Sequence, residues 1–366
     1  MSLNKRSLLV FAVVLWMLAG EAAAVFRDPL DIPASPSDLA QKSMLTGITQ
    51  TPGGRWVAVG RRGHVLFSDD GLAWKQAPVP VSVDLVAVHF PTADEGWAVG
   101  HGGVILHSTD GGQTWDKQLD GRKVADLLVE HWKPLAAEAE EDDLSASMAL
   151  MDAERFKEEG PGRPFLDVRF VDSSTGYAVG AYNLLLKTQD GGESWQVLAD
   201  RTENPGALHF NAARLGEDGR VSLAGEQGML LRTNPLTERF EVVETPYDGT
   251  WFGMLEQDDF MLLFGLRGNA YVSHDDGNSW SKVITGSDST ITAGTRLEDG
   301  RVVLVTQAGE ALLSQDPKAE RFNLVDVDRP MPLYGVASAG DSAIVAVGAG
   351  GVRRIELLPE ADQKLN

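Results

Sequence analysis

The chain has 366 residues, 43% of them hydrophobic, enough for two average domains or one large all-β domain. Its 53 acidic and 32 basic residues give a formal charge of −21, which disfavours nucleic acid and anionic membrane surfaces as partners. It has no cysteine, which excludes a lipidated cysteine, disulfides and thiolate metal sites, so stability must come from a large core.

Lys5 and Arg6 precede the apolar stretch "SLLVFAVVLWMLAG", and Ala22 and Ala24 place small residues at −3 and −1 of a cleavage site. The stretch is shorter than the ~20 apolar residues a spanning helix needs. Residues 1–24 are therefore expected to be a cleaved secretory signal, and the mature protein periplasmic with no membrane insertion of its own. Residues 25–358 form the folded domain, and 359–366 a C-terminal tail.

A repeat fills that domain. The strings "VAVGRRGHVLFSDDGLAW", "WAVGHGGVILHSTDGGQTW", "YAVGAYNLLLKTQDGGESW", "SLAGEQGMLLRTNPLTERF", "LLFGLRGNAYVSHDDGNSW", "VLVTQAGEALLSQDPKAERF" and "VAVGAGGVRRIEL" align on Gly60, Gly100, Gly180, Gly225, Gly265, Thr306 and Gly348. Successive anchors lie about 40 residues apart, except for one doubled gap between Gly100 and Gly180. Each unit reads as four short strands, A to D; in the third these are "FLDVRFVD", "GYAVGA", "LLLKTQ" and "SWQVLAD". The expected fold is all-β: a seven-bladed β-propeller of four-stranded blades.

The doubled gap holds a different kind of sequence. Residues 120–163 lack glycine turns and are rich in Ala, Glu, Leu and Met. Val124, Leu127 and Leu128, then Leu144, Met148, Met151 and Arg155, follow helical spacing. Two helices split near Pro134 are expected, inserted between blades 2 and 3. Leu144, Met148, Met151 and Phe156 are the candidate partner-docking residues, because Met-rich apolar faces adapt to varied partners.

The Ser/Thr-x-Asp-x-Gly-x-Thr/Ser-Trp strings fall between strands C and D, giving Asp110 with Trp115, Asp190 with Trp195, and Asp275 with Trp280. The Asp suits a turn that needs acceptors for its backbone N–H groups, and the Trp suits an inter-blade anchor. Their expected role is structural. The seventh unit lacks a strand D, and "VFRDPLDIP" (25–33) is expected to supply it and close the ring.

In such a ring the A–B and C–D turns lie on one face, and the B–C and D–A connections on the other. The insert therefore shares a face with the B–C turns, which present Arg61, Arg62, His101, Tyr182, Gln227 and Arg267. The starts of the A strands add Asp167, His209, Thr292 and Tyr334 at the channel mouth. Polar and aromatic variety at equivalent repeat positions marks this as the candidate binding face.

The run "AVGxxGxIxxSxDGG" followed by "GGQTW" or "GGESW" resembles the bacterial-neuraminidase (Asp-box) repeat. The order and number of units behind an export signal resemble the photosystem II stability/assembly factor propellers and their non-photosynthetic bacterial relatives. The resemblance covers about residues 26–358, except the insert. It implies a non-catalytic scaffold that helps to assemble a membrane protein complex from its periplasmic side, with an RND-type exporter as a candidate client. In the position where photosynthetic members tend to carry Arg on strand C, this chain has Phe67, His107, Lys187, Arg232, Val272, Leu313 and Ile355, which argues against a photosystem client.

The alternative from another class is an Asp-box carbohydrate-active hydrolase of sialidase type. It needs six blades, an Arg triad and a Tyr nucleophile beside a Glu, and "FRDP" (26–29) carries Asp where its motif requires Ile. No cofactor is expected. No metal site is expected either, since the seven histidines never recur at ligand spacing and no HExxH is present.

Overall fold

The computed structural model describes residues 27–357, except 141 and 217. The predicted signal peptide and the C-terminal tail lie outside the described residues. Seven antiparallel sheets follow one another along the chain, each with its strands in simple sequential order. Among the described residues six have four strands and the last has three. In blade 3 the strands are Phe165–Phe170, Gly176–Gly180, Leu185–Thr188 and Gln196–Val197. The second strand of every blade is buried along its whole length, because sheets pack against both of its faces.

One irregularity recurs in all seven blades. The first strand slips register by one residue near its start, at Thr46, Val86, Leu166, Asn211, Phe252, Thr292 and Tyr334. These β-bulges line the axial channel. The bulge also explains the glycine on which the repeats align. A Cβ at Gly60, Gly100 or Gly180 would stand 2.3–2.4 Å from the carbonyl oxygen of Met44, Asp84 or Pro164, where the innermost strand of the same blade begins. Blade 6 manages with Thr306, whose hydroxyl bonds the Glu310 carboxylate.

Closure differs from the expectation. The last blade keeps three strands, Leu333–Ser338, Ala343–Gly348 and Gly351–Glu356. The described part of the N-terminal segment, from Arg27, runs instead over blades 1 and 2. Leu30 is buried there, Ala34 N donates to Val79 O, and Ser82 N donates to Pro29 O. Proline at 29 and 33 and the 3₁₀ turn Pro29–Asp31 remove the donors and the extended shape that a strand needs. The ring is sealed by side chains, with Trp56 and Trp74 of blade 1 packed on Ala337 and Val345 of blade 7.

The insert is two helices, α1 (Gly121–Glu138) and α2 (Ser145–Glu159). The break falls after Glu138 and not near Pro134, which lies inside α1. Proline frees the carbonyl of Glu130, but both residues face solvent, so water can replace the lost bond. Asp120 caps α1 by accepting the Arg122 N–H, and its carboxylate with that of Asp31 grips the Arg122 guanidinium.

Candidate functional site

The B–C turns carry a shared backbone feature. Arg62, Tyr182, Gln227 and Arg267 adopt φ between 54° and 58°, each followed by a second residue of positive φ. Blade 2 places Gly102 at the same point. A left-handed non-glycine residue costs about 1 kcal/mol, so four exposed side chains stand where the local backbone favours glycine. Sequence reasoning saw variety at these positions but not this strain.

The structure brings these residues together in three groups. Arg61 and Arg62 converge on Asp84, through an Arg61 Nε–Oδ2 contact of 3.2 Å and an Arg62 N–Oδ1 bond of 2.8 Å. His101 N donates to the Asp84 carbonyl, which places it beside them. Tyr182 meets the His209 ring edge-on at 4.7 Å between centroids, and Glu226 accepts from the His209 N–H. Gln227 and Arg267 stand apart as exposed turn residues.

Thr292 and Tyr334 are bulge residues on the channel wall, where Thr292 Oγ1 ties blade 6 to blade 7 by donating to Leu333 O at 2.7 Å. Thr46 makes the same bond to Leu85 O, and Asn211 Nδ2 a similar one to Trp251 O. Asp167 lies one residue deeper than the bulge. The equivalent positions are Gly47, Ala87, Ala212, Gly253, Ala293 and Gly335, because neighbouring inner strands crowd there. Asp167 breaks that pattern, and its Oδ2 accepts the Ala213 N–H of the next blade.

The insert forms one wall of a groove of about 850 Å³ against blades 3 and 4, with Trp132 and Met148 on the helical side and Tyr182 and Asn204 on the other. Leu144, Met148 and Met151 are 61–69% exposed. Phe156 is 2% exposed and faces inward on Val124, Leu128 and Ala153, so it leaves the docking set. Its place in the same Met-rich segment grouped it with the methionines; burial separates them. The residue that fastens insert to ring is Arg163. It is buried, paired with Asp152 at 2.7 Å, and lies over the rings of Phe156 and Tyr182. The signal for it was a lone basic residue in "GPGRP", between two prolines.

The Asp-box residues lie on the opposite face. Asp110 Oδ1 accepts the Gln113 and Thr114 N–H groups and Oδ2 the Thr114 hydroxyl, while Ser108 donates to Oδ1. Asp190 and Asp275 repeat this with Ser194 and Ser279. Hydrogen bonds from Ser194 hold the Asp190 carboxyl down to about 2. Trp115 and Trp195 are buried against the preceding blade, and the more exposed Trp280 donates to Glu244 O. A fourth box was missed: Asp70 caps Leu72 and Ala73, with Trp74 alongside. "SDDGLAW" is one residue shorter and hid it. Arg232, the clearest strand-C arginine, is consumed between blades 4 and 5, where Asp276 and Glu256 hold it.

The family model described as photosynthesis system II assembly factor YCF48 matches residues 36–129 and 160–350. The chain belongs to that family. The two matched segments omit 130–159, the second half of α1 and all of α2. The chain is 26% identical over 262 residues to the photosystem II assembly lipoprotein Ycf48 of Synechococcus sp. (strain CC9902), covering 69% of this chain and 66% of the relative. It is 25% identical over 185 residues to the photosystem II stability/assembly factor HCF136 of Arabidopsis thaliana, covering 43% and 45%. The chain thus spans between about half and two thirds of the length of these curated relatives.

Among solved structures, YCF48 bound to a D1 peptide superposes with TM-score 0.61 at 16% identity, covering 90% of this chain and all of that one. The WD40 propeller domain of Doa1 superposes with TM-score 0.60 at 10% identity, covering 90% and 97%. Such likeness shows the propeller fold, and this chain's seven sheets differ in number from the six blades expected of a sialidase.

Proposed function

We propose that this protein is an exported, non-catalytic binding scaffold that helps to assemble or stabilise a membrane protein complex from its periplasmic side. Family membership supports the assembly role, since the named relatives are assembly factors. The observation that carries the binding surface is the insert groove. Met148 stands exposed on its wall with Glu138, Asp143 and Asp152, and Leu144 and Met151 are exposed on the same part of the insert. An apolar surface of this kind marks an interaction site, and the acidic surroundings select a segment with apolar and basic side chains.

No helix among the described residues is long and apolar enough to cross a membrane. The predicted signal (1–24) supports export and a client met on the periplasmic side. The resemblance of the repeats names an RND-type exporter as the candidate client. The acidic charge and the occupied Arg232 support a client other than a photosystem.

The test is co-purification of a tagged RND exporter with the wild-type chain and with the Met148→Asp/Met151→Asp double variant. Recovery with the wild type and loss with the variant is the expected result. Equal recovery places the client elsewhere on the ring, and no recovery with the wild type removes the exporter as client.

A further inference from the structure

The axial channel holds a charge arrangement that the scaffold role does not use. Asp167 lies on the innermost strand of blade 3, and its Oδ2 already accepts the Ala213 N–H at 3.0 Å. Two guanidiniums also converge on that oxygen, Arg214 Nη1 at 3.0 Å and Arg169 Nε at 3.4 Å. Oδ1 is engaged by the Val168 N–H. One carboxylate thus serves two arginines and two amides.

It cannot satisfy them. Arg169 Nε is buried and, although Asp167 Oδ2 lies 3.4 Å away, it makes no aligned hydrogen bond. Burial and the neighbouring Arg169 charge lower Arg214 to about 10, against the pull of Asp167. The nearby His89 stays neutral, because burial and the same two arginines depress it to about 3. Glu256 also acts on Arg214 but is itself paired with Arg232, so two guanidiniums share one carboxylate in a confined place, which is costly unless an anion joins them.

All three residues line a cavity of about 540 Å³, within the size range of small-molecule sites. The rest of its wall includes Ile48, Val88, Phe252 and Val336. Planar guanidiniums beside apolar walls recognise a carboxylate attached to an apolar body. We propose that the channel binds a small organic carboxylate, its anionic group held by Arg169 and Arg214 and its body against Val88, Phe252 and Val336. The site is separate from the insert groove and stands whether or not that groove docks a client.

Calorimetric titration of the purified mature protein tests this with benzoate, benzyl alcohol and inorganic phosphate as probes. Benzoate is expected to bind once per chain, benzyl alcohol not at all, and phosphate more weakly than benzoate. Arg169→Gln is expected to weaken benzoate at least ten-fold with an unchanged circular dichroism spectrum, and Arg169→Lys to fall between. No benzoate binding up to about 10 mM overturns the proposal, as does equal binding by Arg169→Gln or tighter binding of phosphate. Should the variants not fold, NMR of the wild type decides: benzoate ring protons must show contacts to valine methyls at 88 and 336, and their absence overturns it.

Discussion

The Arg163 guanidinium lies 5.1 Å from the centroid of the Tyr182 ring and joins the helical insert to the propeller. Its other side reaches Asp152 of α2 and the Phe156 ring. Replacing Arg163 by Ala removes a stacked, charge-assisted contact and is expected to cost about 1–3 kcal/mol. Hydrogen exchange should then rise across residues 121–159 while blades 5 to 7 stay protected. Arg163→Lys keeps the charge but not the planar stack, and should recover only part of the protection.

The insert is also part of the core. Val124, Leu128, Ala153 and Phe156 share one cluster with Trp97, Phe165 and Trp195 of blades 2 and 3. Exchanging residues 120–163 for a short Gly-Ser link is therefore expected to lower the melting temperature strongly, by exposing that cluster. From sequence alone the ring looked complete without the insert. An unchanged melting temperature would support that simpler view.

Asp110→Ala removes the acceptor for two backbone N–H groups and two hydroxyls of one turn. By analogy with lost helix caps it should cost about 1 kcal/mol, read as a lower melting temperature. Asp190→Ala and Asp275→Ala should shift it in the same direction. A shift of zero for all three, with loss of client binding, would make these turns functional instead of structural.

His89 sets an acid-side dependence. Its Nδ1 accepts the Phe170 N–H, a bond that only the neutral ring can make, and burial with Arg169 and Arg214 lowers it from 6.5 to about 3. The unfolded chain thus binds a proton below pH 6.5 that the folded chain refuses. Stability is full above that pH and falls as pH drops toward 3, at up to about 1.4 kcal/mol per pH unit for one proton. His64, lowered by burial, adds to the same window, whereas the depressed carboxylates act only below about pH 4. Thermal melts from pH 7 to 4.5 should show the fall, and His89→Gln should flatten it.

The frame was legible because each blade writes the same turns and the same buried second strand. Gly60, Gly100 and Gly180 announce a repeat whose cause, close approach to a carbonyl oxygen, is visible only in space. Closure was not legible: "DPLDIP" has the right length for a strand, and only its prolines argued otherwise. Phe156 and Met148 share a helix, yet what buries one and leaves the other free is the packing of α1 and blade 3 against one side of that helix. The Asp167, Arg169 and Arg214 cluster joins two blades, 45 residues apart between Arg169 and Arg214 in number, and no local pattern signals it.

Site-specific photo-crosslinking from the insert tests the central claim most directly. A photoreactive residue at Met148 should capture an exported segment of a membrane protein in intact cells, while one at Leu236, an exposed residue of blade 4, should not. A specific Met148 adduct, identified by mass spectrometry as a membrane-complex subunit, is the predicted result. Equal labelling from both positions, or a Met148 adduct confined to soluble proteins, would contradict it.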